Sequence, residues 1–191
     1  MTAAAAIGSA RLRDWAVLIV LLLAGFAVLA AVQMRGKDAG ADFVEMHGAE
    51  PATLGGFFDA AGRPVSIGDF RGRTIVLNLW APWCVPCLQE MPSLDRLAGR
   101  LRPEDFAVVA VTKDPVGASP SQATFDRMGL KRLALYLDPQ GKLAADVGVR
   151  GFPTTLVIGR DGAPLAFREG ATNWDSDAMV MRLEALAARG K

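Results

Sequence analysis

Residues 73 to 87 read RTIVLNLWAPWCVPC. The run Arg73–Trp80 is rich in apolar and β-branched residues and fits a strand buried on both faces. Immediately beyond the cysteines, Leu88, Met91, Leu94, Leu97 and Leu101 recur at helical spacing over Leu88–Leu101. The pair therefore falls where a strand hands over to a helix. Cys84 and Cys87 are the only two cysteines among 191 residues, so any thiol redox chemistry passes through them.

The rest of the chain continues this alternation. FFDAAGRPVSI gives a short hairpin of Phe57–Asp59 and Val65–Ile67 around a turn at Ala61-Gly62-Arg63. Phe106–Thr112 reads as a second central strand and Leu133–Leu137 as another, with short helices at Ser121–Met128 and Lys142–Asp146. Thr154–Ile158 and Pro164–Arg168 form a terminal hairpin. Asp175–Ala188 closes the chain as an amphipathic helix with Met179, Leu183 and Leu186 on one face. Strands that first alternate with helices and then end in a hairpin predict an α/β fold with a mixed sheet.

The N-terminal part is of another kind. Trp15–Val32, WAVLIVLLLAGFAVLAAV, carries no charged side chain. At ~1.5 Å per residue it approaches the ~30 Å of a bilayer's hydrocarbon core. It reads as a single transmembrane signal-anchor helix, with residues 1–14 as a cytoplasmic tail, 33–53 as a polar linker and 54–191 as the exported domain. A cleaved signal peptide, with Val28-Leu29-Ala30 as cleavage site, and a buried core helix are the other readings; a signal h-region is normally ~7–15 residues and this block is longer. Arg11 and Arg13 before the block against Arg35 and Lys37 after it leave the charge rule nearly tied. Lys plus Arg number 21 against 20 Asp plus Glu, which gives no field for gathering nucleic acid.

A cysteine near the first turn of a helix faces unpaired N–H groups and the positive end of the macrodipole, which favour thiolate. Cys84 comes first and is the expected nucleophile; Cys87, one turn on, is the expected resolving thiol. Pro86 suits a helix start, where a missing N–H costs nothing. Trp80 and Trp83 are expected to wall the pair, Trp83 on the substrate side. Zinc would need two further ligands, and only His47 and carboxylates remain, so no metal site is expected. Transient Cu(I) on two thiolates is chemically open, but no histidine or methionine is placed to complete a copper site. A purely structural disulfide over so short a loop would stabilise little. Gly151-Phe152-Pro153-Thr154-Thr155 precedes a strand; its proline is either an ordinary strand opener or a cis residue in a tight turn.

Together NLWAPWCVPC, CLQEMP and VRGFPTTLVIGRDG resemble the thioredoxin superfamily, and more narrowly the membrane-anchored TlpA-like thiol–disulfide interchange proteins. The resemblance runs from Leu54 to Leu186. It implies a thioredoxin-like fold, a four- or five-stranded mixed sheet flanked by helices, with cis Pro153 beside the cysteines. It also implies that backbone around Phe152 takes a substrate segment as an added strand. Asn78 stands where thioredoxin has a buried aspartate. Glu90 matches an acidic residue of the reductive relatives and is a candidate for deprotonating Cys87; the plainer reading is a solvated helix glutamate. Pro92 matches the kink proline of the active-site helix. Trp174 is expected to pack, and LDRLAGRLRPED to be a solvated helix face.

Val85-Pro86 between the cysteines adds no charge to stabilise a thiolate, unlike the histidine common in strong oxidants, and this favours the reducing direction. The function expected is an extracytoplasmic protein-disulfide reductase, anchored in a bacterial inner membrane with its domain in the periplasm. It would serve cytochrome c or copper-oxidase assembly proteins with no cofactor beyond the Cys84–Cys87 disulfide. Its partners would be disulfide-bearing proteins and a membrane electron-transfer protein that recharges it, and the domain would be monomeric. The alternatives are a thiol oxidant or isomerase, and a non-catalytic copper- or client-binding assembly factor. A peroxidase would carry its cysteine in a different proline–threonine context.

Overall fold

The structure, a computed structural model, describes residues 19, 21–25, 43–46 and 54–190. The chain separates into two units, Met1–Asp38 and Ala39–Lys191. In the first, residues 19 and 21–25 are helical. The remainder of the Trp15–Val32 segment lies outside the described residues, as does His47. Among the described residues no helix is long and apolar enough to cross a membrane.

The second unit contains β1 (Val44–Glu45), β2 (Phe57–Asp59), β3 (Pro64–Val65), a 3-10 turn (Ile67–Phe70) and β4 (Thr74–Trp80). Next come α1 (Val85–Ala98), β5 (Phe106–Thr112), α2 (Ala118–Met128), β6 (Leu135–Leu137) and α3 (Lys142–Val147). The chain closes with β7 (Thr154–Ile158), β8 (Pro164–Glu169) and α4 (Asp177–Arg189). The strands form one sheet in the order β1-β8-β7-β4-β5-β6-β2-β3. The β4/β5 and β5/β6 pairs are parallel and the others antiparallel.

This is a thioredoxin-like α/β fold with a mixed sheet, larger than the four or five strands expected. The excess over what the resemblance implies is β1 and the β2/β3 hairpin. The hairpin is the one expected around Ala61-Gly62-Arg63, whereas β1, of two residues, is too short to carry a hydrophobic period. β1 lies inside the stretch read as linker and pairs with Phe167 and Ala166 of β8. Ile67, read as the end of a hairpin strand, instead opens the 3-10 turn, because Ser66 and Asp69 form a reciprocal capping box.

β4 is buried along all seven residues, and its alternation sorts the core. Val76 and Trp80 face a cluster built with Met91, Leu94 and Leu97 of α1 and Met179, Leu183 and Leu186 of α4. Ile75, Leu77 and Leu79 face the other cluster, with Val109, Val111, Leu143, Leu156 and Ile158. Each buried aliphatic side chain contributes about 1.5–3 kcal/mol, so the two faces hold β4 rigidly at the sheet's centre. Asn78 is the polar member of the α1-facing row.

Candidate active site

β4 ends at Trp80, and the turn Ala81-Pro82-Trp83 carries the chain to Cys84, whose N–H donates to Ala81 O at 3.1 Å. Cys84 is the N-cap of α1: its Sγ accepts the Cys87 N–H at 3.2 Å, the place usually taken by a serine or aspartate oxygen. Sulfur capping starts the helix at Val85, three residues before the apolar period begins, and Pro86 falls in the first turn where its missing N–H is not needed. The helix runs on through Pro92. Cys84 and Cys87 are joined by a disulfide with Cα atoms 5.2 Å apart. Cys84 keeps 9% exposure and Cys87 none.

Of the two expected tryptophan walls, Trp80 shares one buried cluster with Cys84 and Cys87, whereas Trp83 stands outside it. Trp80 is wholly buried, its ring 5.6 Å from that of Phe125, because strand alternation turns it into the α1-facing core. Trp83 is 60% exposed beside the similarly exposed Val85. The Phe152–Pro153 peptide bond is cis. Thr154 is paired with Leu79, so Pro153 lies at the end of the sheet where β4 leads to Cys84. Pro153 O is taken by Gly170 N at 2.9 Å, and Thr154 Oγ1 donates to Gly151 O at 2.7 Å, which fixes the loop from both sides. Phe152 is half-buried and packs against both core clusters.

Glu90 is not a solvated helix residue. It is 2% exposed, because one turn beyond Cys87 the α1 face points at the sheet. Its Oε1 accepts from Asn78 Nδ2 at 2.8 Å, and its Oε2 accepts from Trp174 Nε1 at 2.9 Å and Thr172 N at 3.1 Å. Asn78 Nδ2 also donates to Thr155 Oγ1 at 3.0 Å. Burial pushes the Glu90 carboxyl above the ordinary glutamate range, against these hydrogen bonds and the positive charge of Arg168. A cleft of about 330 Å³, lined by Glu90, Ser93, Arg96 and Thr172 among others, separates α1 from the 171–173 segment.

That segment is fastened along α1 turn by turn. Trp174 N donates to Ser93 Oγ at 3.0 Å, Arg96 Nε to Asp175 Oδ2 at 2.6 Å, and Arg100 to the Asp175 carbonyl and the Asp177 carboxylate. Trp174 is thus both packing and a buried donor. The helix face read as solvated also holds Asp95, 6% exposed, whose Oδ1 accepts from the amides of Lys131, Arg132 and Leu133. No spacing rule marks Asp95, because its partners lie 36 to 38 residues away. Among the described residues, no group of three or more His, Cys, Asp or Glu could hold a metal ion.

The AhpC/TSA family model matches residues 46–163. Thiol:disulfide interchange protein CycY of Rhizobium leguminosarum bv. viciae is 34% identical over 143 residues, which cover 73% of this chain and 66% of CycY. Thiol-disulfide oxidoreductase ResA of Bacillus thuringiensis subsp. konkukian (strain 97-27) is 27% identical over 104 residues, covering 54% of this chain but 59% of ResA's own length. Among solved structures, a Chlorobium tepidum protein assigned as thiol:disulfide interchange protein DsbE superposes with a TM-score of 0.64 at 26% identity. That match covers 73% of this chain and 96% of the other.

Proposed function

The chain belongs to the AhpC/TSA family, and we propose from that premise that it is a thiol–disulfide oxidoreductase that reduces protein disulfides through Cys84 and Cys87. The observation that carries this reading is the disulfide itself, set at the N-terminus of α1 with Cys87 N–H directed at Cys84 Sγ at 3.2 Å. In the reduced protein the same N–H and the helix dipole would favour a Cys84 thiolate.

The Cys84 thiolate attacks one sulfur of a client disulfide, forming a mixed disulfide and releasing a client thiolate. Cys87 then loses its proton, and its thiolate attacks Cys84 Sγ, which closes the internal disulfide and releases the second client thiolate. The client gains two electrons and this chain is oxidised. Glu90, one turn from Cys87 and held above its ordinary pKa by burial, is suited to accept the Cys87 proton. Trp83 and the Phe152–Pro153 loop lie at the same end of the sheet as Cys84, which supports their meeting the client segment.

The apolar Trp15–Val32 block supports an anchor, with residues 1–14 inside and the domain exported to the periplasm. A reductant there needs a membrane electron-transfer partner, and the names of CycY and ResA fit thiol–disulfide exchange. Clients among cytochrome c or copper-oxidase assembly proteins follow from the TlpA-like resemblance of the sequence. Equilibration of the full chain with dithiothreitol or glutathione tests the direction. A reductant gives a potential close to thioredoxin's, about −270 mV, whereas a value near the oxidase's, about −120 mV, would reject it.

A further inference from the structure

Trp174 lies 84 residues from Glu90 in sequence, yet its indole N–H ends on that carboxylate. The ring is wholly buried, its edge meets Phe43 at 6.2 Å between centroids, and its own amide is held by Ser93 Oγ. A buried indole N–H left without an acceptor is costly. The donor therefore has one place to go, and packing leaves the ring no freedom to take it elsewhere.

The consequence concerns the two oxygens of Glu90. A carboxylate oxygen has two lone-pair sites. Trp174 Nε1 and Thr172 N occupy both on Oε2, whereas Oε1 receives only Asn78 Nδ2. We propose that Trp174 is the positioning residue for Glu90, pinning Oε2 so that the proton the carboxyl exchanges is carried on Oε1. The charge that acts on this carboxyl is Arg168 on β8; Arg96 lines the same cleft, Cys87 lies one turn back on α1, and β4 presents the neutral Asn78. The catalytic meaning of this arrangement rests on the reading of Glu90 as proton acceptor for Cys87, but the positioning itself can be tested separately.

The variant is Trp174→Phe, which keeps an aromatic ring and removes the N–H. In the oxidised full chain, labelled at glutamate carboxyls and with Glu90 assigned by comparison with Glu90→Gln, carbon NMR follows the Glu90 titration. Loss of a hydrogen bond to the charged form raises its proton affinity, by roughly tenfold. The pH profile of mixed-disulfide resolution by Cys87 should move in the same direction, and Trp174→Phe should have no further effect on it in a Glu90→Gln background. An unmoved Glu90 titration overturns the proposal, as does a profile shift that persists without Glu90. If the titration moves but Glu90→Gln leaves resolution unchanged, the positioning stands and the proton-transfer reading falls. Should Trp174→Phe fold poorly, the indole N–H resonance of the wild-type chain answers the same question. It must titrate together with Glu90 and lose that titration in Glu90→Gln; an indole resonance indifferent to pH contradicts the proposal.

Discussion

Thr155, Asn78 and Glu90 form a buried polar line from sheet to helix within an otherwise apolar layer. Glu90→Gln should be tolerated in this setting. Asn78 Oδ1 has no hydrogen-bond partner among the described residues, so rotating the amide can present an acceptor to the new NH₂ group. The variant also isolates a pH effect. The folded pKa of Glu90 lies above the ordinary 4.5, so above that value the native protein holds a proton the unfolded chain has lost. Stability from this group is fully present below 4.5 and is lost as pH rises through the raised value. Urea unfolding of the oxidised protein across that range should show wild type declining relative to Glu90→Gln; parallel curves would contradict it. Asp95 gives a contrasting prediction. Asp95→Ala frees three loop amides and should cost about 2 kcal/mol, seen as a lower urea midpoint at unchanged slope, with disulfide exchange retained. Neither carboxylate's burial was legible in the sequence. A glutamate or aspartate on a helix is normally solvated, and what buries these two arrives from residues 131–133 and 172–174. The cysteines were legible, because their chemistry depends on a spacing of three residues that the chain itself carries.

At the level of elements, the long apolar stretches and the short β2/β3 hairpin with its turn residues were readable, whereas β1 was not. Phe106–Thr112 and Thr154–Ile158 have the bounds their composition suggests, since each is a run of apolar and β-branched residues with no charge. α1 begins at Val85 because a cysteine sulfur serves as its cap, a signal absent from the usual N-cap residues. β1 was hidden for a different reason. Its two residues are held by pairing with β8 and by Glu45, which accepts from Arg182 and Arg189 of α4, 137 and 144 residues onward. These arginines hold the Glu45 carboxyl down at about 2. Its contribution is therefore present above the ordinary 4.5 and lost as pH falls through about 2. Because these ion pairs lie at the partly exposed edge of the sheet, their effect should be local. Glu45→Gln should speed hydrogen exchange at the Met46 amide, which donates to Leu165 O at 2.8 Å, while the exchange of β4 amides is unchanged. Equal protection of Met46 in both proteins would show that the ion pairs do not hold this edge.

Over the whole second unit, the mixed sheet gathers the ends of its parallel strands into one working edge. β4 leads there to Cys84, and β5 is tied beside it by the Lys113 N–H to Trp80 O bond at 3.0 Å. β7 begins at the same edge with Pro153. The two core layers hold that edge, where Trp83 is exposed and Cys84 keeps a 9% exposure that Cys87 lacks. Disulfide exchange initiated by Cys84 is the claim on which the rest depends, and Cys87→Ser in the full chain tests it most directly. Cells expressing the variant are quenched with acid, and thiol-linked adducts are resolved without reductant and mapped by mass spectrometry. Exchange initiated by Cys84 predicts client proteins disulfide-bonded to Cys84 in Cys87→Ser, and none trapped on Cys87 in the reciprocal single variant Cys84→Ser. No adduct in Cys87→Ser, or equal trapping on Cys87 in Cys84→Ser, would contradict it.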